Sequence, residues 1–175
     1  MAKKILLGCV ALIALLLIFA TTRPDTFRVE RSIVIKADPA KVYALLNDFH
    51  AFASWSPWQK LDPAMKVTHA GAPSGKGAIY TWDGNDDVGA GRMEILQTEP
   101  NTRVLLKLDF LKPFEGHNTS EYTLAQAAGV TTVTWAMFGP SPYVSKLMGI
   151  FFSMDTMIGK DFERGLANLK AVSEK

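Results

Sequence analysis

The chain has 175 residues, of which 48% are hydrophobic, and this length and composition are typical of one globular domain with a short extension. Its formal net charge of +2 comes from Lys3 and Lys4, because removing them from the 19 basic residues leaves 17, equal to the 17 acidic residues. A neutral domain without basic runs lacks the charge pattern of a nucleic-acid-binding protein, so this class is excluded.

The N-terminus is an uninterrupted run of apolar residues and glycine from Ile5 to Ala20. Its length lies between the roughly 7–15 residues of a signal peptide's apolar region and the roughly 17–25 of a membrane-spanning helix. Ala20-Thr21-Thr22 is a poor cleavage site, so we expect an uncleaved signal anchor over residues 1–24. The paired lysines predict a single pass with the N-terminus in the cytoplasm and the domain on the periplasmic or extracellular side. The alternative is a cleaved signal peptide, which would give a secreted protein.

The exported domain, predicted for residues 25–175, begins with a strand and two short helices. Alternation of apolar and polar residues over 26–36 predicts the strand. Asp38-Pro39 then supplies an N-cap and a first-turn proline for a helix over 40–46. A second short helix over 49–55 ends before Ser56-Pro57.

Six further strands and one long helix follow. The predicted strands span 65–69, 78–82, 88–97, 103–110, 116–125 and 130–138. Beyond 139–142, apolar residues recur at three- and four-residue spacing from Val144 to Val172, which predicts a helix. Gly149 and Gly159 are the points where we expect it to bend or break.

Apolar residues of the predicted strands share one parity, so one face of the sheet is apolar and rich in aromatic side chains. A packed core accounts for most of these residues. A sheet curled around one helix can also leave a cavity suited to an apolar ligand. The side chains predicted to line it are Trp55, Trp58, Tyr80, Trp82, Met93, Ile95, Leu106, Leu108, Phe110, Tyr122, Trp135, Met137, Phe151, Met154 and Ile158. Its rim is predicted at the two tryptophans and at the turn 154–157, although these tryptophans are also suited to pinning the short helices to the sheet.

Six groups of residues match the spacing of a known family. They are Ile33-x-Ile35-x-Ala37-x-Pro39-x-x-Val42, Phe52-x-x-Trp55-x-Pro57-Trp58, Gly77-x-x-Tyr80-x-Trp82-x-Gly84, Gly89-x-Gly91-x-Met93-x-Ile95, Val133-x-Trp135-x-Met137 and Phe162-x-x-Gly165-Leu166-x-x-Leu169-Lys170. Between about Phe27 and Val172 the chain resembles the START-like, Bet v 1-like (SRPBCC) superfamily, in its polyketide cyclase/dehydrase and lipid transport branch. The resemblance implies an α+β helix-grip fold, with a seven-stranded curved antiparallel sheet around a long C-terminal helix. It also implies an interior cavity without a metal or organic cofactor, and it carries no fixed catalytic set.

No pattern of metal-binding or catalytic residues accompanies the predicted cavity. The three histidines lack metal-ligand spacing, and Cys9 is the only cysteine. His117, Tyr122 and Asp155 are the candidates for an acid or base, because an inward polar group in an apolar cavity can have a shifted pKa.

Three functions are consistent with these features. The leading hypothesis is a membrane-tethered binding domain for a hydrophobic small molecule or lipid. The alternatives are a cofactor-independent cyclase/dehydrase-like enzyme and a protein-interaction module of the co-chaperone kind. The interaction module predicts a filled interior and an exposed apolar patch. The sequence identifies neither the ligand nor a protein partner.

Overall fold

The computed structural model describes residues 2–175. The domain is built on a single seven-stranded antiparallel sheet. The helices are α1 (Ala2–Thr21), α2 (Pro39–Leu46), α3 (Phe49–Phe52), α4 (Tyr143–Met148) and α5 (Met154–Ser173). The strands are β1 (Thr26–Ile35), β2 (Lys66–Gly71), β3 (Ala78–Asp83), β4 (Ala90–Glu99), β5 (Arg103–Lys112), β6 (Gly116–Ala127) and β7 (Val130–Pro140). Their order in the sheet is β1-β7-β6-β5-β4-β3-β2. The predicted fold class, an α+β helix-grip fold with seven strands, is confirmed.

Side-chain caps position the two short helices after β1. The Asp38 carboxylate accepts a hydrogen bond from the Ala40 N–H at 2.8 Å, and Pro39 occupies the first turn of α2. Asp48 starts α3 in the same way, accepting from the His50 N–H at 2.8 Å. These caps turn the chain twice within a few residues, which brings the apolar residues of α3 into the core.

The C-terminal helical region is divided in two. Gly149 is the C-cap of α4, and the chain continues through 149–153 before α5 begins. The Ser153 hydroxyl caps α5 by accepting from the Thr156 N–H at 3.1 Å, which explains why a new helix starts there. The break expected at Gly149 is therefore present, whereas Gly159 lies inside α5 without interrupting it.

Helix α5 lies on the concave face of the sheet, chiefly over β1. Arg31, an inward-facing residue of β1, donates to Asp155 at 2.7 Å and to Glu163 at 2.8 Å, so its guanidinium spans two turns of α5. Gly159 lies between the two carboxylates on the same helix face. A Cβ at that position would collide with the guanidinium, so the glycine is what allows Arg31 to lie against the helix.

Antiparallel register places several loops at one end of the sheet, which we call the α1 end. Strand β1 starts there, with Thr26 opposite Pro140 at the end of β7. Strands β3 and β5 also finish at this end, because Asp83 is paired with Ala90 and Ala90 with Lys112. The α1 end therefore carries the β3–β4 loop (84–89), the β5–β6 loop (113–115) and the connection from β7 to α4 (141–142).

Helix α1 precedes β1 and has 20 residues, a length of about 30 Å. By length and composition it is suited to crossing a bilayer, and a signal sequence shares these properties. Its C-terminal end contacts α4, where the Tyr143 hydroxyl donates to the Leu17 carbonyl at 3.0 Å. Just after α1, Asp25 forms an ion pair with Lys146 of α4. Helix α4 is thus held beside the end of α1.

Candidate functional site

A cavity of about 290 Å³ lies between the concave face of the sheet, the N-terminal half of α5 and the loops at the α1 end. Its lining is mainly aromatic and aliphatic. Exposed residues of the β3–β4 loop (Asp86 and Asp87), Lys112 at the end of β5 and Met157 of α5 border its mouth. The cavity therefore opens to the surface at the α1 end.

Most of the side chains predicted to line a cavity border this one. They are Trp58, Tyr80, Trp82, Met93, Leu108, Phe110, Tyr122, Trp135, Met137 and Ile158. Trp55, Ile95 and Leu106 are instead buried in the adjoining core. Met154 is half-buried at the edge of that core, and Phe151 is 65% exposed on the surface.

Several lining residues were missed by the sequence analysis. Ser120 shares its strand parity with Tyr122 two residues later, so alternation along β6 was a sufficient signal for it. Phe162 follows the helical apolar period and belongs to one of the family motifs, but it was not assigned to the cavity. Met65 was predicted to begin the strand 65–69, but it lies just before β2. Pro113 lies in the β5–β6 loop, where no periodicity assigns a side chain to the interior.

Hydrogen bonds fix the orientation of two indole rings that line the cavity. Trp135 donates through Nε1 to the Ser120 hydroxyl at 3.0 Å, and its ring stacks on Phe162 at 4.0 Å between centroids. Trp82 donates to the Val88 carbonyl at 3.1 Å. With both N–H groups satisfied within the protein, the rings offer apolar surface to a ligand.

Trp55 and Trp58, which are separated only by Ser56-Pro57, have different roles. Trp55 is 2% exposed, donates to the Leu45 carbonyl at 3.2 Å, and accepts through its own carbonyl from Asn168 of α5 at 3.2 Å. It therefore pins the short helices to the core and to α5. Trp58 is half-buried, lines the cavity, and packs edge-on against Trp135 at 5.8 Å.

Two tyrosines, Tyr80 and Tyr122, are among the polar side chains that line the cavity. Burial raises the pKa of Tyr80 to about 12. Burial also raises the pKa of Tyr122 far above its usual value, and the neighbouring Ser120 hydroxyl opposes this shift by a smaller amount. Both phenols are therefore neutral at physiological pH, and each can donate a hydrogen bond to a carbonyl or hydroxyl of a ligand.

The other two acid–base candidates lie outside the cavity. His117 is an odd number of residues from Tyr122 on β6 and lies on the convex face, with its Nδ1 2.7 Å from an Asp109 oxygen. Asp155 is exposed at the start of α5, and the Arg31 guanidinium lowers the pKa of its carboxyl. Of the three candidates, only Tyr122 borders the cavity.

A buried carboxylate fixes the loops that flank the mouth. Asp62 accepts from the Asn85 N–H at 2.8 Å through one oxygen and from the Ala64 N–H at 3.0 Å through the other. It thereby ties the β3–β4 loop to the segment that carries Met65. Within residues 2–175, no group of three or more His, Cys, Asp or Glu side chains is arranged to hold a metal ion.

Solved structures of other proteins share this fold at low sequence identity. The crystal structure of CV1439 from Chromobacterium violaceum is 18% identical, with a TM-score of 0.59 over 87% of this chain and 99% of that chain. The Aha1 dimer from Colwellia psychrerythraea is 18% identical, with a TM-score of 0.58 over 85% of this chain and 96% of that chain. The di-domain ARO/CYC BexL from the BE-7585A biosynthetic pathway is 16% identical, with a TM-score of 0.61 over 90% of this chain and 53% of that chain.

No curated protein matches the chain. The family described as "Polyketide cyclase / dehydrase and lipid transport" matches residues 26–174, almost the whole of the chain after α1. Together with the fold, this confirms the resemblance predicted from the sequence motifs. The chain belongs to the polyketide cyclase/dehydrase and lipid transport family of the START-like, Bet v 1-like superfamily.

Proposed function

We propose that the domain of residues 25–175 binds one compact apolar molecule in its cavity, and that α1 holds it at a membrane. The observation that carries this proposal is an aromatic-lined cavity of about 290 Å³ that lies against the apolar core and opens at the α1 end. Its volume is at the lower end of the range for small-molecule sites, about 300–1,000 Å³. A ligand of one or two fused rings, or a short acyl chain, matches this size.

Binding would be driven by removing apolar ligand surface from water. Burying about 200 Å² at about 25 cal/mol per Å² contributes roughly 5 kcal/mol before the costs of association, which limits a ligand of this size to modest affinity. The phenols of Tyr80 and Tyr122 would orient a ligand that carries a carbonyl or hydroxyl group. The apolar helix α1 would keep the domain close to a reservoir of such molecules in the bilayer.

A second candidate function is cyclase or dehydrase chemistry without a cofactor. It is favoured by Tyr122, whose neutral phenol faces the cavity and could polarise a substrate carbonyl. The similarity to an ARO/CYC protein supports the fold alone at 16% identity. The third hypothesis, an interaction module, predicted a filled interior and an exposed apolar patch. The cavity argues against the first, whereas the exposed apolar side chains in and after α4 match the second.

The binding proposal can be tested with two molecules of the same shape. Calorimetric titration of the full chain in detergent micelles would compare 2-naphthol, which carries one hydroxyl, with naphthalene. We expect Met93→Trp, which fills the cavity from β4, to weaken both by at least about tenfold, or 1.4 kcal/mol. Leu96→Trp, at an exposed position on the same strand, is the matched control and should bind as the unmodified chain does.

Tyr122→Phe tests the orienting role. Loss of one hydrogen bond of about 0.5–1.5 kcal/mol should weaken 2-naphthol about two- to tenfold and leave naphthalene unchanged. Unchanged binding in a folded Met93→Trp variant would refute the cavity as the binding site. Native mass spectrometry of the purified chain should in addition reveal a co-purifying apolar molecule that Met93→Trp lacks.

A further inference from the structure

Exposed apolar side chains of the domain are concentrated in two segments that border the cavity mouth. They are Leu111 and Phe114 around the β5–β6 loop, and Tyr143, Val144, Met148, Phe151, Phe152 and Met157 from α4 to the first turn of α5. Elsewhere in residues 22–175 the exposed large apolar side chains are Val34, Leu61 and Leu96, which lie singly on the surface. Isolated side chains of that kind are ordinary, whereas a contiguous group marks an interaction surface.

None of the residues of helix α4 is buried, and four of the six are exposed. Residues 147–154, Leu-Met-Gly-Ile-Phe-Phe-Ser-Met, contain no charged side chain. The nearest cation, Lys146, is held by Asp25. Phe152 is 66% exposed, and its neighbour Phe151 is similarly exposed, immediately before the Ser153 cap of α5. Water is a poor environment for such a segment, whereas the interface of a lipid bilayer accommodates it well.

The position of this segment relative to α1 indicates what covers the exposed apolar side chains. The hydrogen bond from Tyr143 to Leu17 and the ion pair between Lys146 and Asp25 hold α4 at the level where α1 ends. If α1 crosses a bilayer, that level is the membrane surface, and α4 lies beside it. A second copy of the chain would have to cover the same surface in competition with lipid already beside it.

We propose that residues 143–157 and 111–114 form a membrane-docking surface, which inserts its phenylalanine and methionine side chains into the bilayer interface next to α1. Met157, Lys112 and Pro113 belong both to this surface and to the lining of the cavity, so docking turns the cavity mouth toward the lipid. An apolar ligand would then pass between bilayer and cavity without crossing water. This inference rests on the membrane tether of the proposed function and not on the identity of the ligand.

Cysteine labelling of the full chain in phosphatidylcholine vesicles separates docking from tethering. Cys9, the native cysteine, lies about 4 Å along the helix axis from the midpoint of α1, so a fluorophore there reports on membrane insertion of α1. In a Cys9→Ser background, Phe152→Cys reports on the docking surface and Leu96→Cys serves as the exposed control. Vesicles that contain nitroxide-labelled lipid quench only fluorophores in contact with the bilayer.

We expect the label at position 152 to be quenched at least about twofold more than the label at position 96, with a blue-shifted emission. Quenching at Cys9 without quenching at position 152 would overturn docking and leave the tether intact. Absence of quenching at both positions would overturn docking and tether together. A blue shift at position 152 in detergent that depends on protein concentration, and no lipid quenching, would assign the surface to a second copy and also overturn docking.

Discussion

Replacing Phe162 by alanine tests how α5 is held on the sheet. Phe162 is 2% exposed and stacks face to face on Trp135, with 4.0 Å between ring centroids and 6° between the planes. Phe→Ala substitutions in packed cores cost about 3–5 kcal/mol. One side of Phe162 borders the cavity and has fewer packing partners there. We therefore expect a loss near the lower limit, about 3 kcal/mol.

The assay is thermal unfolding of the full chain in detergent, followed by near-ultraviolet circular dichroism of the tryptophans. For a domain of this size, about 3 kcal/mol corresponds to a Tm lower by about 6–12 °C. Met157→Ala is the matched control, because Met157 borders the same cavity from the same helix but is 59% exposed. It should lower the Tm by less than about 2 °C. If the two variants unfold at the same temperature, the stack on Trp135 does not anchor α5 and the reasoning fails.

Two further predictions concern the contact between Arg31 and α5. Because Arg31 holds the pKa of Asp155 below its usual value near 3.8, the stabilisation from this pair is present above that value and is lost as the pH falls through the lowered pKa. The Tm difference between the unmodified chain and Arg31→Met should therefore shrink below pH 4 or so, and a pH-independent difference would contradict the assignment. Alanine at position 159 gains helix propensity, but its Cβ displaces the guanidinium, so the Tm change caused by Gly159→Ala should be more favourable in an Arg31→Ala background; equal changes in the two backgrounds would contradict the contact.

Periodicity predicted most strands well because they have one buried face; β2, in which no residue is buried, is the exception. The alternation of Val104, Leu106 and Leu108 with polar or half-exposed neighbours is enforced by the pleat, so parity in the sequence corresponds to direction in space. The same argument places His117 on the face opposite Tyr122. Parity along β6 was therefore a sufficient signal to exclude His117 from the cavity, although the sequence analysis kept both residues as candidates.

In the helical region from 143 to 173, apolar periodicity did not predict which residues are buried. An apolar residue at helical spacing is read as core, yet Phe151 and Phe152 are exposed because Gly149 ends one helix and Ser153 starts another. A segment that faces lipid and one that faces a protein core have the same spacing of apolar residues, so the spacing alone does not tell which of the two surrounds the segment.

The cavity was the least predictable feature, since its volume depends on how far α5 lies from the sheet. Trp55 and Trp58 illustrate the difficulty. They lie in an irregular segment around Pro57, where no period assigns one to the core and the other to the cavity. Only the hydrogen bonds of Trp55 to Leu45 and Asn168 distinguish them, and these depend on tertiary contacts.

Helix α5 contacts β1 through one stripe of its surface and lines the cavity with the neighbouring stripe. Positions 155, 159 and 163 fasten it to β1, whereas positions 157, 158, 161 and 162 border the cavity. Apart from Phe162, the side chains that border the cavity can change size or polarity without disturbing the contacts between α5 and β1. Proteins with this fold can therefore change the ligand that they bind by substituting a few neighbouring positions of α5, while the fold stays the same.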